Sequence, residues 1–236
     1  MGAMNYSQLY SGEHLKELNP NWTFEKWSYR HTFVAKMKYV EKLLSKIPKE
    51  ATILDAGCGQ GLLVEEFQKR GYTMTGIDAF YSSKFVQKGD LCKSGFKQNT
   101  FDVILLLDVI EHFQLNEQEK VIAELSRIIK PQGQLIMSIP NLAHLSSRWW
   151  FLLTGRLLRT AKVSYHPGDR PIDEYLQIIK KHLTVEKKKG LSPTIPFFFQ
   201  LIQLLPQYTG WLYWLMRPLS LFSGWCFNIV VIGKKE

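Results

Sequence analysis

The chain has 236 residues, enough for one domain with an elaboration and a sizeable core. Its formal charge of +9 and pI of about 9.4 allow an anionic membrane surface, a nucleic acid or an acidic substrate as partner, and say nothing about fold. Cys58, Cys92 and Cys226 are scattered and odd in number, which argues against a disulfide framework and against a zinc site.

Met1-Gly2-Ala3-Met4 reads as a tag remnant, and residues 1–20 are expected to be a flexible N-terminus. No charged-then-apolar leader follows, so a cytoplasmic protein is expected. From Asn21 to Ile47 apolar residues recur at helical spacing, with Trp27, Val34, Met37, Val40, Leu43 and Leu44 on one side, and Pro48 stops the run. An N-terminal helical segment is therefore expected over 21–48.

Ala51 to Gly61, ATILDAGCGQG, is a short apolar run, an acid, and glycines at 57, 59 and 61. The pattern predicts a buried strand, a tight turn and a helix. Glycine allows positive φ and a bare backbone, and the helix start offers unpaired N–H groups, so a nucleotide-sized ligand fits at the strand's carboxyl end. A dinucleotide fingerprint from Gly57 needs glycine at 62, where the chain has Leu62, which disfavours a nicotinamide-dependent oxidoreductase. The run 72–77 predicts a second strand, and Asp78 at its end is placed for a ribose. Few residues separate Asp78 from Asp90, so the crossover there is expected to be a turn or a short helix.

Phe101 to Leu107 is a near-continuous apolar run, the mark of a strand buried on both faces, and releases Asp108-Val109-Ile110-Glu111-His112. An amphipathic helix is predicted over Glu117–Lys130, a fifth strand over Gly133–Ile139 closed by Pro140-Asn141, and a helix over Ile172–His182. Phe227–Ile232 predicts the last strand. The alternation across 51–140 predicts an α/β fold with a doubly wound, mostly parallel sheet.

Taken together, D-A-G-C-G-Q-G with Asp78, and F-D-V followed by D-V-I-E-H, resemble motifs of the class I S-adenosylmethionine-dependent methyltransferases, of the small-molecule or lipid acceptor type similar to the ubiquinone-biosynthesis-like enzymes. The resemblance covers 51–141 well and the C-terminal third hardly at all. It implies a Rossmann-like, seven-stranded sheet with an antiparallel last strand beside the fifth. It implies S-adenosylmethionine as cofactor, held by Asp55, Gly57, Cys58, Gly59, Gly61, Asp78, Ala79, Asp90, Leu91, Asp108 and Val109, with Asp78 on the ribose and Asp90 beside the adenine. His112 is the candidate base for an acceptor hydroxyl, or else a structural donor, since an imidazole titrates near neutrality. Trp27, Arg30, His166 and Arg170 are candidate acceptor contacts, and no metal is expected.

The expected units are the N-terminal segment 21–48, a cofactor-binding core at 49–141, a helical substrate cap at 142–224 that includes one core helix and strand, and a final strand and tail at 225–236. The cap carries aromatic clusters with Arg148, Arg156, Arg159, Lys162 and Lys187-Lys188-Lys189 beside them, a composition that suits a cover over the site, a peripheral membrane contact, or both. It points to a hydrophobic or lipid-linked acceptor. A non-catalytic cofactor- or lipid-binding protein is the alternative. A nucleic-acid substrate is disfavoured by the lack of a dedicated binding module.

Overall fold

The computed structural model describes residues 4–159 and 161–236; residues 1–3, expected as a tag remnant, lie outside the described residues. Strands β1 (Thr52–Ala56), β2 (Thr73–Asp78), β3 (Val86–Lys88), β4 (Phe101–Leu107), β5 (Ile129–Pro140), β6 (Thr184–Gly190) and β7 (Asn228–Lys234) form one sheet in the order β3-β2-β1-β4-β5-β7-β6. Neighbours from β3 to β5 pair in parallel, and β7 runs antiparallel between β5 and β6. The expected seven-stranded sheet with an antiparallel last strand is the observed one.

Side chains alternate across strands, so each strand supplies both faces. Leu54, Ile104, Leu106, Leu135 and Met137 face one core, shared with α4 (Gln118–Ile128) and α6 (Ile172–Lys180). Ile53, Val103, Leu105 and Ile136 face the other, shared with α2 (Arg30–Leu44) and α3 (Leu62–Lys69). Both faces are covered, which is why the strands read as unbroken apolar runs.

Several expectations shift. Helix α2 begins at Arg30, not near Asn21. Before it, Thr23 caps a 3-10 turn at Phe24–Lys26, and Trp22 and Phe24 meet Trp27 edge-on and tilted instead of continuing the helix. The segment 5–19, expected to be loose, folds back: α1 (Glu13–Leu18) forms, Tyr6 donates to Glu41 at 2.5 Å, and Tyr10 stacks on Trp27 at 4.3 Å. Strand β5 starts at Ile129, paired with Phe101, and Gln132 at φ +65° marks the kink that Pro131 and Gly133 had suggested as a helix end. Residues 79–85 hold no helix, in line with the trimmed crossover. Lys187-Lys188-Lys189 lie in β6 at the sheet edge and not beside a surface helix; charges there deter pairing with another strand. The cap comprises α5 (Leu145–Thr154), α7 (Phe198–Leu204) and α8 (Gly210–Met216), and no helix among the described residues is long and apolar enough to cross a membrane.

Candidate active site

At the carboxyl ends of β1 and β4 opens a cavity of about 840 Å³, within the usual range for a small-molecule site. Gly57, Gly59 and Gly61 all take positive φ, at 74°, 55° and 79°. Their surroundings differ. A Cβ at Gly57 would stand 2.6 Å from Val109 Cγ2, and one at Gly61 would stand 2.5 Å from Val86 Cγ2, so these two let the chain pack on itself. A Cβ at Gly59 would meet nothing within 4 Å, because this glycine faces the cavity. That bare backbone lets a ligand lie directly against the turn.

Asp78 is buried behind this turn and does not itself line the cavity. Its Oδ2 accepts from the Gly59 N–H at 2.9 Å, and its Oδ1 accepts from Phe80 N at 2.9 Å and Tyr81 N at 3.3 Å. A carboxylate offers about four lone-pair positions, so capacity for a further hydroxyl remains on Oδ2. Tyr81 lines the cavity on this side. Ala79 is exposed, Asp90 is exposed with Oδ1 on the Cys92 N–H at 2.8 Å, and Leu91 is buried in the core; none of the three lines the cavity. Cys58 lines it, but burial pushes its thiol far above the ordinary range, with Asp55 and Asp78 adding to the effect, so it is a filler and no nucleophile.

Asp55 faces the cavity from the end of β1. Burial raises its carboxyl to about 7, Lys36 opposing and Asp78 adding to the rise. Asp108, by contrast, is held down to about 2: burial alone would raise it, but Lys36 pairs with it and Ser138 and Tyr29 donate to it. The distances are 2.5 Å from Ser138 Oγ and 2.7 Å from the Tyr29 hydroxyl, with Asn228 Nδ2 at 3.0 Å. Asp108 itself sits at φ +55°, a conformation aspartate tolerates better than most residues. One carboxylate thus ties together α2, β5, β7 and the loop after β4. Val109 packs against Gly57 beneath the turn.

His112 lies at the mouth. Its Nδ1 faces the Tyr165 carbonyl at 2.8 Å and must donate to it, which leaves Nε2 as the acceptor. Burial lowers its basicity below the ordinary imidazole value; the Tyr165 carbonyl works the other way. His166 meets it edge to face, ring centroids 4.8 Å apart, and both line the cavity. Glu111 is buried beside them, and burial together with Asp108 pushes its carboxyl well up. Ligand atoms of Glu111, His112 and His166 all lie within 4.8 Å of one another, an arrangement that could hold a metal ion. The sequence concealed it, because His166 arrives on a distant loop.

Trp27 lines the cavity within an aromatic roof, stacked on Tyr10 and edge-on to Tyr29 at 5.3 Å. Arg30 and Arg170 do not line it. Arg30 donates to the Glu25 carbonyl and lies over Phe24, and Arg170 donates to the Leu115 carbonyl and lies over Tyr175. Sequence reasoning missed Tyr29 and Lys36; a lysine on the apolar stripe of α2, one residue before Met37, was the available signal.

A family profile described as a methyltransferase domain matches residues 27–170. The chain belongs to this methyltransferase family. S-adenosylmethionine, the cofactor that the resemblance to the class I enzymes implies, is the cofactor of this family. Among curated relatives, the ubiquinone biosynthesis O-methyltransferase of Pelagibacter ubique is 30% identical over 61% of this chain and 66% of its own length. That of Rickettsia typhi is 29% identical over 59% of this chain and 62% of its own length, and that of Rickettsia prowazekii is 25% identical over 81% and 82%. The chain therefore spans somewhat under two thirds of the first two relatives. Among solved structures, a SAM-dependent methyltransferase from Thermotoga maritima, described as a possible histamine N-methyltransferase, has a TM-score of 0.59 at 15% identity and covers 95% of this chain and 97% of its own. One from Archaeoglobus fulgidus has a TM-score of 0.53 at 16% identity, covering 96% and 100%. Both share the fold.

Proposed function

We propose that this methyltransferase moves a methyl group from S-adenosylmethionine to the oxygen or carbon of a small hydrophobic acceptor, one carried on a lipid tail. When bound, the cofactor supplies an activated methyl on a sulfonium. The bare, cavity-facing Gly59 backbone, its N–H held by Asp78, is the observation that carries the reading. Gly59 and Asp78 would hold the adenosyl moiety, and Asp55 and Asp108 would face the cofactor's other end. The rest of the acceleration comes from alignment in a dry, shaped pocket, so no triad is required.

The roof of Tyr10, Trp27, Tyr29 and Phe33 presents aromatic surface to the cavity and favours an apolar acceptor. The naming of relatives for ubiquinone biosynthesis supports the same class. For a hydroxyl acceptor, His112 Nε2 would take the proton as oxygen bonds carbon. Trp27 and His166 would contact the acceptor, whereas Arg30 and Arg170 would act at most through the elements they brace.

Calorimetry with S-adenosylhomocysteine tests the cofactor half: binding is expected for the wild type, and a loss of about tenfold or more for Asp78→Ala. Transfer of labelled methyl into the organic phase of a cell extract tests the acceptor half. Absence of binding overturns the reading, and label confined to the aqueous phase overturns the lipid-linked acceptor.

A further inference from the structure

The cap leaves an unusual surface uncovered. In the second half of α5, Trp149, Trp150, Phe151, Leu152 and Leu153 are all exposed, Leu152 at 75% and Leu153 at 61%. At 100° per residue these consecutive positions sweep more than a full turn, so the helix end projects with apolar side chains all round it. A protein partner or a second copy of the chain would cover one side of such a helix. A helix apolar on every side suits immersion.

The neighbouring α7 and α8 seal their inner sides with Ile202, Leu212 and Met216 and expose Leu204, Trp211 and Trp214 at 77%, 67% and 70%. The two parts are joined: His144, capping α5, packs on Phe199 of α7 at 5.5 Å, and Arg148 reaches the Gly224 carbonyl. Their charge is one-sided. The sequence has no Asp or Glu from 142 to 168 or from 187 to 235, while Arg148, Arg156, Lys162 and Arg217 are exposed there.

We propose that the outer face of α5, α7 and α8 lies in the interface of an anionic lipid bilayer, with α5 Leu152 and Leu153 in the acyl region, the tryptophans at headgroup level and the arginines on the phosphates. Tryptophan rings favour that depth, and basic residues near the surface add attraction for anionic lipid. No helix among the described residues is long and apolar enough to cross a membrane, and the proposed contact is with the surface of one leaflet. Gln203 of α7 lines the active-site cavity, as does Ala161 on the loop after α5, so α7 belongs to both the cavity wall and the bilayer face. The proposal goes beyond methyl transfer and is independent of it: vesicle binding reads the face, and S-adenosylhomocysteine calorimetry in solution reads the site.

The test is sedimentation of the full chain with vesicles of phosphatidylcholine alone and with equal parts phosphatidylcholine and phosphatidylglycerol, at low and high salt. Binding is expected to the mixed vesicles, weaker at high salt, with tryptophan emission quenched by brominated acyl chains. Leu152→Glu/Leu153→Glu is expected to weaken it by about tenfold or more, with S-adenosylhomocysteine binding unchanged. Wild type that stays in the supernatant with the mixed vesicles, or that pellets without tryptophan quenching, overturns the proposal. So does a stable dimer indifferent to lipid. Should the double variant fail to fold, the quenching of the wild type alone decides.

Discussion

Lys36→Met probes the buried pair on which the site's geometry rests. Lys36 is 4% exposed and its ammonium pairs with Asp108, a carboxyl held at about 2. Against an unfolded-chain value of about 3.9, that depression corresponds to about 2 to 3 kcal/mol of stability. Because the folded value is the lower one, the contribution is present above about pH 4 and is lost as pH falls towards 2. Without the cation, Asp108 keeps only its neutral donors Tyr29, Ser138 and Asn228 and is left as a desolvated charge. Breaking a buried pair from one side costs about 3–5 kcal/mol. Urea unfolding followed by tryptophan fluorescence at pH 7 is the assay. Lys36→Met is expected to lose stability on that scale and to lose the wild type's acid-dependent limb between pH 4 and 2. Adding Asp108→Asn is expected to recover part of the loss, with a coupling of at least about 1 kcal/mol. A Lys36→Met protein within about 0.5 kcal/mol of wild type would refute the reasoning.

Further outcomes follow from the same geometry. Gly59→Ala is expected to fold, with a strain cost of about 1 kcal/mol for its positive φ, and to lose S-adenosylhomocysteine affinity, because its methyl enters the cradle; unchanged calorimetry would contradict the placement. Gly57→Ala is expected to lower the melting temperature more, since its Cβ would collide with Val109. With a hydroxyl acceptor, kcat/KM is expected to rise with pH and level off, its midpoint below the ordinary imidazole value of about 6.5, since burial lowers His112. His112→Gln is expected to remove that limb and about a hundredfold of rate, and a retained limb would assign the base elsewhere. Leu54→Ala, in the fully buried layer under α4, is expected to cost about 2–5 kcal/mol in urea unfolding.

The parts that sequence made legible are those whose physics is local. Three glycines with an acid before them announce a turn wherever they occur, and strands buried on both faces announce themselves as apolar runs. Asp78 was readable because a strand end places its carboxylate against the turn of the strand beside it. What stayed hidden depends on contacts between distant segments. Lys36 stands on the apolar stripe of α2, but its partner emerges only when β4 delivers Asp108 beneath it. Glu111, His112 and His166 become a group only when the loop after α5 folds down, and Tyr10 gains its role from Trp27. Asp90 is placed by a family triplet and Arg170 by an ambiguous local alignment; such matches do not fix which way a loop turns, and neither residue lines the cavity.

The last strand has a consequence for how the molecule comes into being. Strand β7 follows both its neighbours in the chain yet lies between them, so β5 and β6 do not pair through their backbones and wait for it. It also carries Asn228 to the Asp108 carboxylate. Until that segment is available, a growing chain presents two open sheet edges and an incomplete reaction chamber together. The step that removes the hazard of edge-to-edge association is thus the step that finishes the site, and a half-made molecule has neither protection nor chemistry.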